Sequence, residues 1–516
     1  MILFAVPPIE PAATVATEPQ QVSSTSSRIW QFHDEHVLGT RLEVLANSDS
    51  AVVAAEAASV ARSEIHRLDR VFNHRRGDSE ISALNRMRQG RVSPDLFAVV
   101  QASEVWRAIT RGAFDARMGE LLSLWATAAP PNPAAIARVL TALRSSTVNI
   151  DPMEMTIGLS PGAVLSLDAV AKGYIVDAAL NAARRAVPAL YGLAISVGGD
   201  LRCWGVGANS QGWCVGLPET ITPAMNAPLV DSLVLRNAAI ATSGRGPRDC
   251  LGSYLRSSTI SPLTGQPIRD IVSASVVASH AMDADAIATA CMVLSPQKSL
   301  EIVDQLEGVA ARITDAAGQV HTSSDWPMLQ LAAAAPEQHV AQVSNQRSKK
   351  SSLPANLKWP TEWVLSIDYT APPRQAKRNS DFRSPYMAMW ITDANNKPVR
   401  TVLMVGREPD WQRDNFVWWS TNRARPVKLV EMRSLPTSIS GRYGVYWTGV
   451  DDDSNPVPMG KYTLHLETSQ ERGKHDYRSM TLELGRDGFR TELPKVEGSG
   501  GIEVYYGHPN ERFKSR

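Results

Sequence analysis

The apolar residues of this 516-residue chain follow two different repeats, and the change between them falls in one stretch. Up to residue 328 many apolar side chains recur at helical spacing, most clearly over residues 51–72, whereas from residue 361 they alternate within short aromatic-rich segments. Residues 329–360 follow neither repeat and contain mainly Ala, Gln, Ser and basic residues. The sequence therefore predicts two folded units of different class, joined by a linker over residues 329–360.

The first unit, residues 29–328, mixes helical and strand patterns without strict alternation, which predicts an α+β domain built around a twisted sheet. Its helices are expected over residues 51–72, 94–111 and 132–143. The second unit, residues 361–490, contains several alternating segments separated by turn residues, a spacing that predicts a β-sandwich.

The two ends of the chain have weaker patterns. Residues 1–28 are rich in Pro, Ala, Thr, Ser and Gln and begin with a short apolar run, so they are predicted to be a disordered leader or a truncated signal peptide. Residues 491–516 are predicted to be a C-terminal tail. No apolar run reaches the roughly 18 residues of a membrane span, so no transmembrane segment is expected.

Charge and cysteine content exclude some partners. The chain has 53 basic and 52 acidic residues, so no overall charge favours nucleic acid or an anionic membrane surface, and no nucleic-acid partner is expected. The four cysteines lack the paired spacing of a metal site. Cys203 and Cys214 are compatible either with one disulfide between neighbouring strands or with two buried thiols.

One candidate site lies in residues 164–177, which read as a short apolar strand turning into an amphipathic helix near Lys172. At such a junction the backbone N–H groups and the helix dipole favour an anion, so a lysine there is suited to a phosphate. A surface lysine on an ordinary turn is the alternative.

Two further segments carry polar groups beside small residues. Gly198-Gly199-Asp200 follows an apolar strand, and paired glycines indicate close approach of the backbone to another group. Asp285 and Thr289 are four residues apart in a helix of small residues, so both oxygens lie on one face. Hard oxygen ligands suit Mg²⁺; a helix-start aspartate with a core threonine is the alternative.

These three segments, in this order, resemble the flavin transferases of the ApbE family, which move FMN from FAD onto protein hydroxyls. The resemblance extends over roughly residues 30–325, and the second unit resembles the immunoglobulin-like DUF2271 domains, chiefly over residues 447–462. Further matching segments are Leu38-Gly39-Thr40, residues 78–85, residues 112–119, residues 241–244 and residues 262–267.

The resemblance implies a function and a set of site residues. It implies a Mg²⁺-dependent transferase that moves FMN from FAD to a Ser or Thr hydroxyl of a target protein and releases AMP, with Asp168 and Lys172 in catalysis. The metal would lie between Asp285, Thr289 and the backbone oxygen of Ala169. The residues implied to contact FAD are Leu38, Arg75, Ala113, Phe114, Asp115, Ser166, Lys172 and Ile260. The implied setting is the periplasm or cell envelope, with an electron-transfer protein as acceptor.

The chain departs from the family pattern at two places. Ser166 stands where an aspartate is usual, and Ser258 and Ser261 stand where a histidine and an aspartate are usual; such groups are candidates for acid–base catalysis. Asp168 is the candidate replacement for the first aspartate, because two residues along a strand keep the same face. These changes leave a transferase, an FAD pyrophosphatase and a non-catalytic FAD-binding protein as alternatives.

Overall fold

The computed structural model describes only part of the chain, and the account below concerns that part. It comprises residues 28–126, 130–207, 211–218, 229–244, 259–330, 359–360, 363–370, 386–405, 415, 417–418, 420, 432–433, 442–452, 455–469, 475–493 and 500–508. The predicted leader before Arg28, most of the predicted linker and the position of Ser258 lie outside the described residues.

The first unit contains the predicted mixture of helices and strands. The helix predicted over residues 51–72 has those bounds, and Ser50 caps it by accepting a hydrogen bond from the N–H of Val53. In chain order the elements are β1 (Arg28–Val37), β2 (Thr40–Ser48), α1 (Ala51–Phe72), α2 (Glu80–Met87), β3 (Gln89–Arg91), α3 (Pro94–Ile109), α4 (Gly119–Trp125), α5 (Pro133–Ser145), β4 (Val148–Asp151), β5 (Thr156–Leu159), α6 (Ala171–Ala186), β6 (Gly192–Val197), β7 (Asp200–Gly205), β8 (Trp213–Pro218), β9 (Leu229–Leu235), β10 (Ala239–Gly244), β11 (Ile271–Ala278), α7 (Ala281–Val293), α8 (Pro296–Val303), β12 (Ala310–Asp315), β13 (Val320–Thr322) and α9 (Trp326–Leu329).

An eight-stranded sheet organises this unit, in the order β1-β2-β6-β7-β10-β11-β12-β13. Successive residues of a strand face opposite sides, so Val44 and Ala46 of β2 join the core beneath α1, α6 and α7, whereas Leu45 joins the core beneath β8 and β9. The sheet is therefore covered by helices on one face and by a small sheet on the other, which confirms the α+β prediction.

The segment before α6 is not the strand that its apolar pattern predicts. Val164 makes one isolated bridge to Met118, and residues 168–170 form a turn before α6 begins at Ala171. The Asn85 side chain bonds both the N–H and the carbonyl of Leu165, so an amide side chain occupies the groups that a neighbouring strand would use. Asp168 and Ser166 therefore do not share a strand face, contrary to the prediction.

The second unit is a β-sandwich, as predicted. Its two sheets have the orders β18-β14-β22-β21 and β16-β15-β19-β20, and one hydrophobic core draws residues from both. Its strands are β14 (Val364–Thr370), β15 (Tyr386–Asp393), β16 (Pro398–Val405), β17 (Met432–Arg433), β18 (Arg442–Trp447), β19 (Gly460–Ser469), β20 (His475–Leu484), β21 (Phe489–Leu493) and β22 (Gly501–Gly507).

The C-terminal boundary of the sandwich differs from the prediction. Strand β22 pairs with β14 over its whole length, from Gly501 opposite Thr370 to Gly507 opposite Val364. The boundary predicted at residue 490 falls inside β21. The sandwich therefore extends into the segment that was predicted to be a tail.

Described residues of the two units contact each other. The two-residue strand β17 of the second unit pairs in parallel with β8 of the first, Met432 opposite Val215. The Arg41 guanidinium of β2 lies over the Tyr443 ring of β18, with its carbon 4.8 Å from the ring centroid.

Cys203, Cys214 and Cys291 are free thiols, which decides against a Cys203–Cys214 disulfide. None of the helices within the described residues has the length and hydrophobicity needed to span a bilayer.

Candidate functional site

The crossing of α6 and α7 positions the candidate site. A Cβ at Gly173 would lie 2.2 Å from the carbonyl oxygen of Ala281, so only glycine allows the two helices to approach this closely. Asp177, one turn further along α6, accepts hydrogen bonds from the N–H groups of Ala281 (2.9 Å) and Met282 (3.0 Å), and it also pairs with Arg202 at 2.7 Å. α6 therefore supplies the cap of α7, and the two helices are held in one relative position.

Lys172 lies between two buried carboxylates. Its ammonium nitrogen Nζ is 2.6 Å from Oδ2 of Asp200 and 3.2 Å from Oδ2 of Asp285. The Asp285 carboxylate also accepts a hydrogen bond from the Gly173 N–H at the start of α6, at 3.4 Å. The three segments singled out in the sequence thus meet at one place, each supplying one charged side chain.

The charges of this cluster do not balance. One ammonium faces two carboxylates, and both Asp200 and Asp285 are 2% exposed. Burial and the neighbouring charge of Asp200 raise the pKa of the Asp285 carboxyl well above its usual range, against the opposing effect of Lys172. Although burial lowers the pKa of Lys172, the two carboxylates outweigh it and raise that pKa above its ordinary value. The cluster therefore has an excess of buried negative charge that a further cation would relieve.

Hydroxyl oxygens lie beside this cluster. Thr289, one turn after Asp285 on α7, has its Oγ1 3.3 Å from the Oγ of Ser243 at the end of β10. Ala169, whose backbone oxygen is the third implied ligand, lies in the turn three residues before Lys172. The described residues contain no group of three or more His, Cys, Asp and Glu side chains arranged for a metal. The oxygen-only donors fit Mg²⁺, which binds through one or two carboxylates together with substrate phosphates.

A second charged pair lies at the surface of the same turn. Nδ1 of His74, in the loop after α1, is 3.2 Å from Oδ1 of Asp168. The side chains are 35% and 62% exposed, respectively, so the carboxylate implied to be catalytic lies on the outside of the turn. The sequence analysis missed His74, because nothing in a polar loop identifies a partner 94 positions further along the chain.

A family model named "ApbE family" matches residues 38–313, which include all the charged groups of this site. The chain belongs to the ApbE family. A second model, named "Predicted periplasmic protein (DUF2271)", matches residues 371–503 and so covers most of the sandwich, including part of β22.

Curated relatives are similar to the ApbE unit along most of their length. The FAD:protein FMN transferase of Treponema pallidum is 28% identical over 307 residues, which are 54% of this chain and 82% of the relative. The FAD:protein FMN transferase of Salmonella typhimurium is 29% identical over 304 residues, 56% of this chain and 85% of the relative. These relatives support membership in a family of FAD:protein FMN transferases.

Solved ApbE structures share the fold. The ApbE protein of Thermotoga maritima is 22% identical, with a TM-score of 0.51, over 59% of this chain and 100% of that protein. The flavin transferase ApbE of Vibrio cholerae is 20% identical, with a TM-score of 0.50, over 59% of this chain and 99% of that protein. At these identities the likeness concerns the fold alone.

Residues 113–115, which the resemblance implies to contact FAD, have side chains that are buried or hydrogen-bonded within the ApbE unit. Ala113 and Phe114 are buried in the main core. Asp115 is bound by the Arg117 guanidinium through two hydrogen bonds, at 2.6 and 2.9 Å.

The other implied contacts are spread around the ApbE unit. Leu38 has a positive φ of 52° in the turn between β1 and β2, and Arg75 is exposed beside His74. The backbone N–H of Ser166 donates to the Ala116 carbonyl at 2.7 Å. The Ile260 side chain packs into a small core against α4 and α5.

Ser261 has a structural role in its turn. Its Oγ accepts hydrogen bonds from the N–H groups of Leu263 and Thr264, at 3.2 and 3.3 Å. An aspartate at this position can accept the same bonds, because Asp and Ser both stabilise such turns. Ser261 therefore supplies the hydrogen bonds of this turn in place of the usual aspartate.

Proposed function

We propose that this chain is a Mg²⁺-dependent FAD:protein FMN transferase, which moves FMN from FAD to a Ser or Thr hydroxyl of a target protein and releases AMP. The observation that carries the proposal is the buried cluster of Lys172, Asp200 and Asp285, whose excess negative charge lies beside the hydroxyls of Thr289 and Ser243. The names of the curated relatives support the same substrate and product classes.

In this proposal Asp285, Thr289 and the backbone oxygen of Ala169 hold the ion. When bound, Mg²⁺ supplies neutralisation of the pyrophosphate charge. Lys172, in the first turn of α6, binds a phosphate of FAD, because the start of a helix favours an anion. Asp200 fixes the Lys172 ammonium at 2.6 Å and so keeps it in position before the substrate arrives.

The chemistry requires one proton to be removed. The acceptor hydroxyl loses its proton, its oxygen forms a bond to the phosphorus of the FMN half, and the bond from that phosphorus to the AMP oxygen breaks. AMP leaves as its anion, and the released proton passes to a base and then to solvent. A base near the acceptor is therefore needed in addition to the groups that bind the pyrophosphate.

We further propose that the acceptor is an electron-transfer protein of the cell envelope and that the chain acts in the periplasm. The description of the DUF2271 family as periplasmic supports the location. The contact between Arg41 and Tyr443 supports a role for the sandwich in presenting that acceptor, because the Arg41 carbonyl also accepts a hydrogen bond from the N–H of Gly198, two residues before Asp200.

The test is incubation of the full chain with FAD, with and without MgCl₂, and with a Ser/Thr-containing acceptor peptide, followed by mass spectrometry. Covalent flavin on the peptide together with AMP, both dependent on Mg²⁺, is the expected result. Free FMN with AMP and no modified peptide would indicate a pyrophosphatase. Intact bound FAD would indicate a non-catalytic flavin-binding protein. Either of these two results would overturn the proposal.

A further inference from the structure

We propose that His74 is the general base that accepts the proton of the acceptor hydroxyl, with Asp168 as its positioning partner. The inference rests on the proposed transferase function and identifies a catalytic residue for it. The carrying observation is that two segments distant in sequence, the loop after α1 and the turn before α6, are joined by this histidine–aspartate pair, whose aspartate lies four residues before Lys172.

The two backbones are fixed independently of the pair. The His74 carbonyl accepts a hydrogen bond from the Ser82 hydroxyl at 3.1 Å, and Ser79 caps the following helix α2. On the other side, the N–H of Val170 donates to the carbonyl of Leu167 at 3.0 Å and so holds the turn that contains Asp168. The side chains therefore meet because the fold places their backbones there.

The geometry selects the basic nitrogen of His74. A carboxylate at 3.2 Å from Nδ1 favours the tautomer that carries its proton on Nδ1. Nε2 then keeps its lone pair, and the ring orientation is fixed by the same bond, as in other histidine bases that are held by an aspartate. Because the His74 side chain is 35% exposed, Nε2 can be reached by a hydroxyl from outside.

A purely structural reason for the pair is weak. Ion pairs between exposed side chains typically contribute about 0–1 kcal/mol, and the Asp168 side chain is 62% exposed. Its position is more informative, because Asp168 directly precedes Ala169 and lies four residues before Lys172. His74 is also adjacent to Arg75, which the family resemblance assigns to FAD. Each member of the pair is thus adjacent in sequence to a residue proposed for the metal site or for the flavin.

The charged surroundings tune His74 for this role. Its hydrogen bond to Asp168, supported by the charge of that carboxylate, raises the pKa of His74 above its ordinary value, and it outweighs the opposing effects of burial and of Arg75. A general base works best when its pKa is close to the working pH. The pKa of His74 is therefore shifted upwards, towards neutral pH.

The proton balance of the step is closed. The acceptor O–H bond breaks and its proton is bound by Nε2 of His74, while the hydroxyl oxygen forms the new bond to the FMN phosphorus. The P–O bond to AMP breaks, AMP leaves as its anion, and the imidazolium then gives its proton to solvent. No oxidant or further reactant is needed.

The decisive experiment uses His74→Ala and imidazole added to the buffer, with the full chain, FAD, MgCl₂ and the acceptor peptide. The variant should transfer flavin about 10²-fold or more slowly, the range for loss of a general base, while FAD affinity stays within about twofold of wild type. Imidazole should restore part of the lost rate and leave wild type unchanged. The matched control is His66→Ala, which removes an exposed histidine of α1 and should transfer at the wild-type rate.

A second variant tests the partner. Asp168→Asn removes the carboxylate that raises the pKa of His74, so the rising limb of the pH–rate profile should move to lower pH. A limb that stays in place, a His74→Ala variant as fast as wild type, or a rate loss that imidazole does not restore would each overturn the inference while leaving transferase activity established. If wild type itself makes neither AMP nor covalent flavin, the proposed function and the inference both fall.

Discussion

The ApbE domain and the sandwich each bury a carboxylate almost completely, but they compensate its charge in different ways. Asp285 shares the Lys172 ammonium with Asp200 and accepts one long hydrogen bond from Gly173. Glu467 of β19 accepts hydrogen bonds from the backbone N–H groups of Val417 and Trp418, at 3.0 and 2.7 Å. Nε2 of His475 lies 2.7 Å from Oε1 of Glu467, the oxygen that also accepts from Val417.

The difference separates a buried charge that is available to a ligand from one that is used in folding. Backbone donors cannot leave Glu467 without unfolding the segment that carries them, so this carboxylate fixes residues 417–418 against the sheet. The Lys172 side chain, by contrast, can exchange one carboxylate for a phosphate while the helices stay in place. Excess buried charge on movable side chains is the arrangement expected of a binding site.

The largest effect should follow from Asp285→Asn, which keeps the shape of the side chain and removes its charge. Mg²⁺-dependent AMP release should fall roughly 10²–10³-fold, the size typical of losing an electrostatic contact to a reacting group. The Tm of the metal-free protein should not fall, because the ionised Asp285 is disfavoured by burial and by Asp200. A product assay and a thermal melt check both statements.

The matched control for that variant is Asp283→Asn, two residues earlier on α7. Its Oδ1 accepts a hydrogen bond from the Trp106 indole at 3.0 Å, which an asparagine oxygen can still do. AMP release should therefore stay near the wild-type rate in this control. Equal losses of activity in the two variants would contradict the metal assignment of Asp285.

Removing the buried carboxylate of the sandwich should lower its stability and leave AMP release unchanged. Glu467→Ala leaves the N–H groups of Val417 and Trp418 without their acceptor, so the sandwich should lose roughly 3–5 kcal/mol of its free energy of unfolding. Urea titration followed by tryptophan fluorescence measures the loss, and AMP release should persist at low urea. Glu483→Ala, on the exposed face of β20, is the control and should unfold as wild type does. An unshifted midpoint for Glu467→Ala would mean that the buried carboxylate does not hold this segment.

A smaller, pH-dependent effect should come from His465, also on β19. It is stacked on Trp390 and lies within hydrogen-bond distance of Thr392 and Tyr477, and burial lowers its pKa to about 4. A histidine held neutral stabilises the fold above its unfolded pKa of about 6.5, and this contribution is lost as pH falls towards 4. The loss should be at most about 3 kcal/mol.

Comparison with His465→Gln isolates that contribution from the titration of carboxylates. Urea midpoints of the sandwich at pH 7 and pH 4.5 should differ more in wild type than in the variant, which has no imidazole to protonate. The same pH dependence in both proteins would show that other groups cause it.

The smallest effect concerns the contact between the two regions. Arg41→Gln removes the cation over the Tyr443 ring, an interaction typically worth about 0.5–1 kcal/mol at exposed sites. If the sandwich presents the protein acceptor, transfer to that acceptor should slow about two- to fivefold while transfer to a short peptide is unchanged. Arg28→Gln is the control, since Arg28 lies over Trp30 within the ApbE domain at 4.3 Å. Equal slowing with protein and peptide acceptors would argue against a presenting role.

Much of the fold follows from local sequence patterns. The periodicity of residues 51–72 gives α1 its bounds, and the alternating aromatic segments after residue 361 give five strands of the sandwich. Such patterns work because one face of each element is buried along its whole length. They fail at residues 164–168, where the Asn85 side chain replaces a neighbouring strand, and at β22, which is separated from β21 by residues without a pattern.

Local sequence patterns are enough to identify the family, the two classes of fold and the acidic and basic residues of the Lys172 cluster, because those residues occur in segments with recognisable local order. Which charges meet depends on how the chain packs. In the folded chain Asp115 pairs with Arg117, and Ser261 accepts hydrogen bonds within its own turn. His74 contacts Asp168, which is 94 positions further along the chain. The physical reason is that a hydrogen bond or ion pair depends on a few ångströms between side chains, and that separation is set by how whole helices and strands pack rather than by the order of residues along the chain.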